Sequence, residues 1–174
     1  MSHLIRLPEF RFFLLVSCLA LMLSAGTSLA GDEIEGAKLF PGVDTYHKSI
    51  TTHSAEAQKW FDQGLLLLYG FNHDEATRSF LAAAERDPEA AMPWWGVAYA
   101  AGININDPEM TEERWQAAHE AARKALSLLD DESDLERALV EAVARRYTWP
   151  APAEQRPYDE AYATAMAEVY ERFG

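Results

Sequence analysis

From Ser54 to Phe173 apolar residues recur at intervals of three and four, the spacing that places them on one face of a helix. Ser54 stands as a cap before Ala57, Trp60, Phe61, Gly64, Leu65 and Leu68, and Gly70-Phe71-Asn72 interrupts the pattern. A second helix is expected from His73 to about Arg86, with Ala76, Phe80, Ala83 and Ala84 on its inner face, and Asp87-Pro88 closes it. A third is expected over Met92–Ala101, with Trp94, Val97 and Ala98 facing inward, and a fourth over Thr111–Leu128, with Trp115, Ala118, Ala122, Ala125 and Leu126 inside. Ser133-x-x-Glu136 is a capping box that opens a fifth, burying Leu135, Leu139, Ala142 and Val143. The last stripe is Tyr158, Ala161, Tyr162, Ala165, Met166, Val169 and Phe173. The predicted fold is all-α, with six helices.

Residues 57–90 repeat a known arrangement. Trp60, Gly64, Ala76, Phe80, Ala83 and Pro88 stand in the register of the tetratricopeptide repeat, a helix–turn–helix unit of about 34 residues, which this segment resembles. Gln63 replaces the usual leucine and Leu67 the usual tyrosine. In this reading Gly64 and Ala76 let the paired helices approach closely, and Trp60 and Phe80 fill the space around them. The resemblance implies a tetratricopeptide-like α-solenoid of about three repeats, over 57–90, 91–128 and 133–174. The later units carry insertions at Gly102–Met110 and Thr148–Arg156. His53–Glu56, Phe71–Ala76, Trp94-Trp95-Gly96, Asn104-Ile105-Asn106 and Tyr158–Phe173 also resemble the N-terminal part of longer bacterial exported repeat proteins, a likeness covering about residues 46–174. Tyr158, Tyr162, Tyr170 and Phe173 make the last helix aromatic where a solenoid usually ends on a polar face. The expectation is a fragment of a longer array, or self-association through that helix.

The segment before the helices reads differently. Arg6 and Arg11 precede the apolar run Phe12–Leu23, and Ser28-Leu29-Ala30 offers a small-residue cleavage site, so residues 1–30 read as a secretory signal peptide. The twelve-residue run would span about 18 Å as a helix, too short for a hydrocarbon core of roughly 30 Å. Leu15-Val16-Ser17-Cys18 is the weaker alternative, a lipid attachment at Cys18. Residues 31–53, with Pro41-Gly42, read as an irregular leader. The expected location is therefore exported, with no membrane insertion after cleavage, and the resemblance to bacterial exported repeat proteins implies a periplasmic or secreted bacterial protein.

Composition narrows the function. The 174 residues carry 28 acidic and 15 basic side chains, a net charge of −13, which opposes nucleic-acid binding and favours basic partners. The one cysteine excludes an internal disulfide and a multi-thiolate zinc site. There is no His-Glu-x-x-His, phosphate loop, nucleophile elbow or Cys-x-x-Cys, so no catalytic residue and no cofactor is assigned. His119 reads as a packing residue. His47, His53 and His73 are the alternative: three imidazoles that would suit zinc or copper.

Geometry adds two candidate surfaces. The first is the edge of the stack that collects the turns from the first helix (A) to the second helix (B) of each unit: Phe71, Asn72 and His73, then Asn104, Asn106 and Asp107, then Tyr147, Trp149 and Pro150. Asn72 and Glu75 also read as ordinary capping chemistry, which leaves His73 without a role. The second surface is a groove lined by the A helices, to which Lys59, Gln63, Tyr69, Trp95, Tyr99 and Arg145 are assigned; Trp95 and Tyr99 form an aromatic anchor pair, or Trp95 fills the core. The combined expectation is an exported, non-catalytic scaffold binding a protein or peptide through Asn72, His73, Trp95, Tyr99, Asn104, Asn106 and Trp149. Its rivals are a metal-binding protein using His47, His53 and His73, and an enzyme whose activity lies beyond residue 174.

Overall fold

The computed structural model describes residues 36–43 and 45–174. The signal peptide, the Cys18 alternative and the start of the leader lie outside the described residues. Among the described residues there are six helices and no strand: α1 (Ala55–Tyr69), α2 (His73–Arg86), α3 (Ala91–Ala100), α4 (Glu112–Ser127), α5 (Asp134–Ala144) and α6 (Arg156–Phe173). All but α3, which follows Ala90 without a side-chain cap, begin where the sequence supplies a start. The side chains of Ser54, Asn72, Thr111 and Ser133 accept from the backbone N–H three residues on, and Ser133 with Glu136 completes the capping box. Pro157 opens α6.

Each helix packs on the next, and the odd-numbered helices also pack in a row, α1 on α3 and α3 on α5. The sequence of α3, Ala-Met-Pro-Trp-Trp-Gly-Val-Ala-Tyr-Ala, has no polar face, so it must be covered all round. It touches α1, α2, α4 and α5 accordingly. The order of the two tryptophans on α3 differs from expectation. Trp95 is buried and Trp94 half-buried, because α3 turns Trp95 toward the Phe61 ring (centroids 6.5 Å apart).

Phe80 is the centre of this packing. It is fully buried, and a Cβ built on either Gly64 of α1 or Gly96 of α3 would come within 2.5 Å of its ring. Only glycine lets α1 and α3 close on that ring from both sides. The first turn also has its own chemistry. Asn72 N–H reaches Leu67 O and Phe71 N–H reaches Leu68 O, the paired bonds of a Schellman motif. The left-handed position of that motif falls on Phe71 (φ 60°), one residue after Gly70. The leader is folded too: Ile50 is part of the main core, and Ala37 and Tyr46 pack against it.

Gly64→Ala and Gly96→Ala each gain helix propensity and each force a methyl into Phe80. The overpacking outweighs the gain, at about 1–3 kcal/mol. Thermal unfolding should show each variant melting lower, by ~2–4 °C per kcal/mol.

Candidate functional site

The A-to-B turns converge on one edge, and side chains of the even-numbered helices hold them there. The last carbonyls of a helix have no partner inside it and need outside donors. His73, at the start of α2, donates from Nδ1 to Ala100 O at the end of α3 (3.2 Å). His119 of α4 repeats the device, with Nδ1 donating to Tyr147 O after α5 (3.2 Å), and Trp115 Nε1 donates to Thr148 O. Arg114 spans the middle turn, giving Nε to Ala101 O (2.8 Å) and Nη2 to Gly102 O (3.0 Å), and pairing with Asp107. Gly102 lies against the second and third turns at once: a Cβ there would meet Tyr147 Oη at 2.6 Å and Arg146 Nη1 at 2.7 Å. Tyr147 is buried at this junction, and burial pushes its hydroxyl up to about 12.

What this edge shows to solvent is unusually apolar. Tyr69 is 58% exposed, Phe71 57%, Ile105 86% and Trp149 39%, so most of the large exposed hydrophobics among the described residues stand on three successive turns. Phe71 does so from a left-handed backbone that disfavours a bulky residue, the kind of local strain found at recognition sites. Asn104 accepts from Asn106 N–H (2.9 Å), and Asn104 and Asp107 exchange backbone bonds, which sets the loop that projects Ile105.

Of the residues singled out from the sequence, Asn72, His73, Asn104, Asn106 and Trp149 share this edge. Trp95 does not belong to a binding surface. It is buried, stacked between Phe61 and Tyr99 (5.3 Å), so the anchor reading of Trp95 is corrected to a core role. Tyr99 is half-buried beside it, and Lys59 and Arg145 are exposed. The metal alternative does not assemble. His47 Nδ1 meets Asp62 Oδ2 (2.8 Å), His73 caps α3, and His53 is exposed with its backbone N–H on Asp87. Among the described residues no three His, Cys, Asp or Glu are placed to hold a metal ion.

A second feature was not legible beforehand. Residues 36–43 and 45–53 form a strap across α1 that ends at the opposite edge of the stack. There Thr51, Thr52 and His53 border a cavity of about 460 Å³ whose walls include Asp87, Glu89, Asp130, Asp131 and Glu132. Two buried carboxylates grip the strap at this end. Glu136 accepts from Thr51 N–H (2.6 Å) and Thr51 Oγ1 (2.7 Å), and Asp87 from His53 N–H (2.8 Å) and Thr52 Oγ1 (2.5 Å). Burial alone would raise both acids. The strap's donors, with Ser133 on Glu136 and Glu89 N–H on Asp87, outweigh it and hold both below their ordinary values. The sequence signal was Gln63, a polar residue beside the apolar positions of α1, which has to find buried partners.

Comparison with protein-family models, with curated proteins and with solved structures finds no match for this chain.

The two lowered carboxylates make stability depend on acid. Their contribution is complete above the ordinary values of 4.5 and 3.8 and is lost as pH falls through the lower folded values. Urea unfolding should show Glu136→Gln well below wild type in midpoint at pH 6, with the gap narrowing as pH falls below 4.5, where the unfolded chain takes up a proton that the folded carboxylate resists.

Proposed function

We propose that this chain is an exported, tetratricopeptide-like helical-repeat scaffold that binds a protein partner along the edge of its A-to-B turns. The observation that carries this reading is the row of Tyr69, Phe71, Ile105 and Trp149, exposed apolar side chains on three adjacent turns. Aromatic and aliphatic anchors in a contiguous patch supply most of the energy of a protein interface, and isolated surface hydrophobics do not cluster this way. The carbonyl caps from His73, Arg114, Trp115 and His119 hold the turns in register, so the patch is organised before a partner arrives. Asp74 and Glu109 are exposed next to the patch residues in the chain, whose net charge is −13, and they favour a partner whose contact segment is apolar with basic flanks. Export rests on the charged start, apolar run and small-residue site within residues 1–30. The solenoid reading rests on the contacts of α1 with α3 and of α3 with α5, together with the register of residues 57–90.

Ile105→Glu tests the edge, because a side chain that is almost wholly solvent-exposed changes without touching the core. Affinity capture from the exported fraction should recover a stoichiometric partner with the wild type and lose it at least tenfold with Ile105→Glu, at unchanged thermal stability. Equal recovery by both chains would remove the edge from the interface.

A further inference from the structure

Two glutamines on α1 hold the strap in the same way. The side-chain amide of Gln63 donates to Lys38 O (3.0 Å) and accepts from Phe40 N–H (2.8 Å). That of Gln58 donates to Lys48 O (2.9 Å) and accepts from Ile50 N–H (3.0 Å). In both cases the amide bridges a carbonyl and the N–H two residues further on. A residue in a parallel β-strand offers its neighbour the same donor and acceptor at the same spacing. Each glutamine therefore replaces one rung of a strand and fixes an extended backbone whatever side chain the bound residue carries. Asp62 adds a bond from Lys48 N–H (3.0 Å), Glu136 one from Thr51 N–H and Asp87 one from His53 N–H.

Side chains of the strap are also held: Tyr46 packs against the core and His47 Nδ1 meets Asp62 Oδ2, but the densest selection falls on one stretch. Ile50 is buried in the core, Thr51 Oγ1 donates to Glu136 and Thr52 Oγ1 to Asp87. Among the described residues, the strap makes no backbone–backbone bond to any helix, because each of its bonds to α1, α5 and the α2–α3 corner runs to a side chain. Its removal leaves every helix ladder intact and frees a row of polar side chains beside the pocket that Ile50 occupies.

We propose that Gln58, Asp62, Gln63, Asp87 and Glu136 form a binding site for an extended peptide bearing an aliphatic residue followed by two hydroxyl residues, and that the strap, held at residues 38–40 and 48–53, is its displaceable resident. The site shares no residue with the turn edge and goes beyond the function proposed above. A tethered occupant acts at an effective concentration on the order of millimolar, so an incoming segment binds as the strap opens locally.

The probe is a fluorescein-labelled synthetic peptide of residues 36–53, titrated by anisotropy against the full chain. Ile50→Asp in the protein weakens the resident strap and leaves the five receptor side chains unchanged. The peptide should bind this variant at least tenfold more tightly than wild type. A peptide carrying Thr51→Pro, which lacks both the N–H and the hydroxyl, should lose that gain. Equal affinity for both chains, or no binding to either, overturns the proposal. Hydrogen exchange on the wild type removes any dependence on how the variant folds. The amides of Phe40, Lys48, Ile50, Thr51 and His53 should exchange together and at least tenfold faster than those of α1; exchange as slow as α1 would make the strap a fixed part of the core and also overturn it. Ile105→Glu should leave peptide affinity unchanged, so failure at the strap site and failure at the turn edge are read separately.

Discussion

Phe80 of α2 has no exposed surface, and the residues that face its ring from α1 and α3 are glycines, Gly64 and Gly96. The ring also meets Phe61 at 5.5 Å, and Phe61 meets Trp95 at 6.5 Å, so one aromatic cluster joins the first three helices. Close-packed interiors transmit displacements of even one methyl group. The separation of α1, α2 and α3 is therefore set at this point. The reach of His73 from the start of α2 to the end of α3 depends on that separation, and so does the placing of the first turn beside the second.

From there the architecture is carried by a repeated solution to one problem. The backbone at the ends of α3 and α5 offers carbonyls that need donors, and side chains of the even-numbered helices provide them, whereas α1 is closed by its own Schellman bonds. His73 and Arg114 serve α3, while His119 and Trp115 serve the residues after α5. His73, grouped with the metal alternative, and His119 are thus both bonded to backbone. The edge they organise presents Phe71, Ile105 and Trp149, and the opposite edge presents an acidic cavity capped by the strap. The two surfaces differ in kind, one apolar and built from turns, the other polar and built to hold a main chain.

Much of the helical framework was legible because it rests on local rules. Caps at Ser54, Asn72, Thr111 and Ser133 and the three-and-four spacing locate the helices within a residue or two. Close approach leaves a mark in residue size, so Gly64 and Phe80 drew attention, but the sequence set Gly64 against Ala76, whereas the ring of Phe80 is what Gly64 and Gly96 admit. The rest depended on tertiary partners. Periodicity over the ten residues of α3 could not rank Trp94 against Trp95, since that helix has no polar face to orient it. Gly70 drew attention as the helix breaker, yet the Schellman bonds put the left-handed residue at Phe71. His73 had no local explanation because its acceptor lies 27 residues away. Gln63 looked like a departure from a pattern and is a buried bridge to Lys38, Phe40 and Ser79.

The dependence of the packing on Phe80 is tested most directly by a double-mutant cycle in urea between Gly96→Ala and Phe80→Leu. If ring and glycine are matched, Gly96→Ala destabilises the Phe80 protein, and in the Phe80→Leu background its cost shrinks by about 1 kcal/mol or more as helix propensity takes over. The same cost in both backgrounds, within about 0.3–0.5 kcal/mol, would mean that the glycine is not there for the ring. The spacing of the three helices would then have another origin.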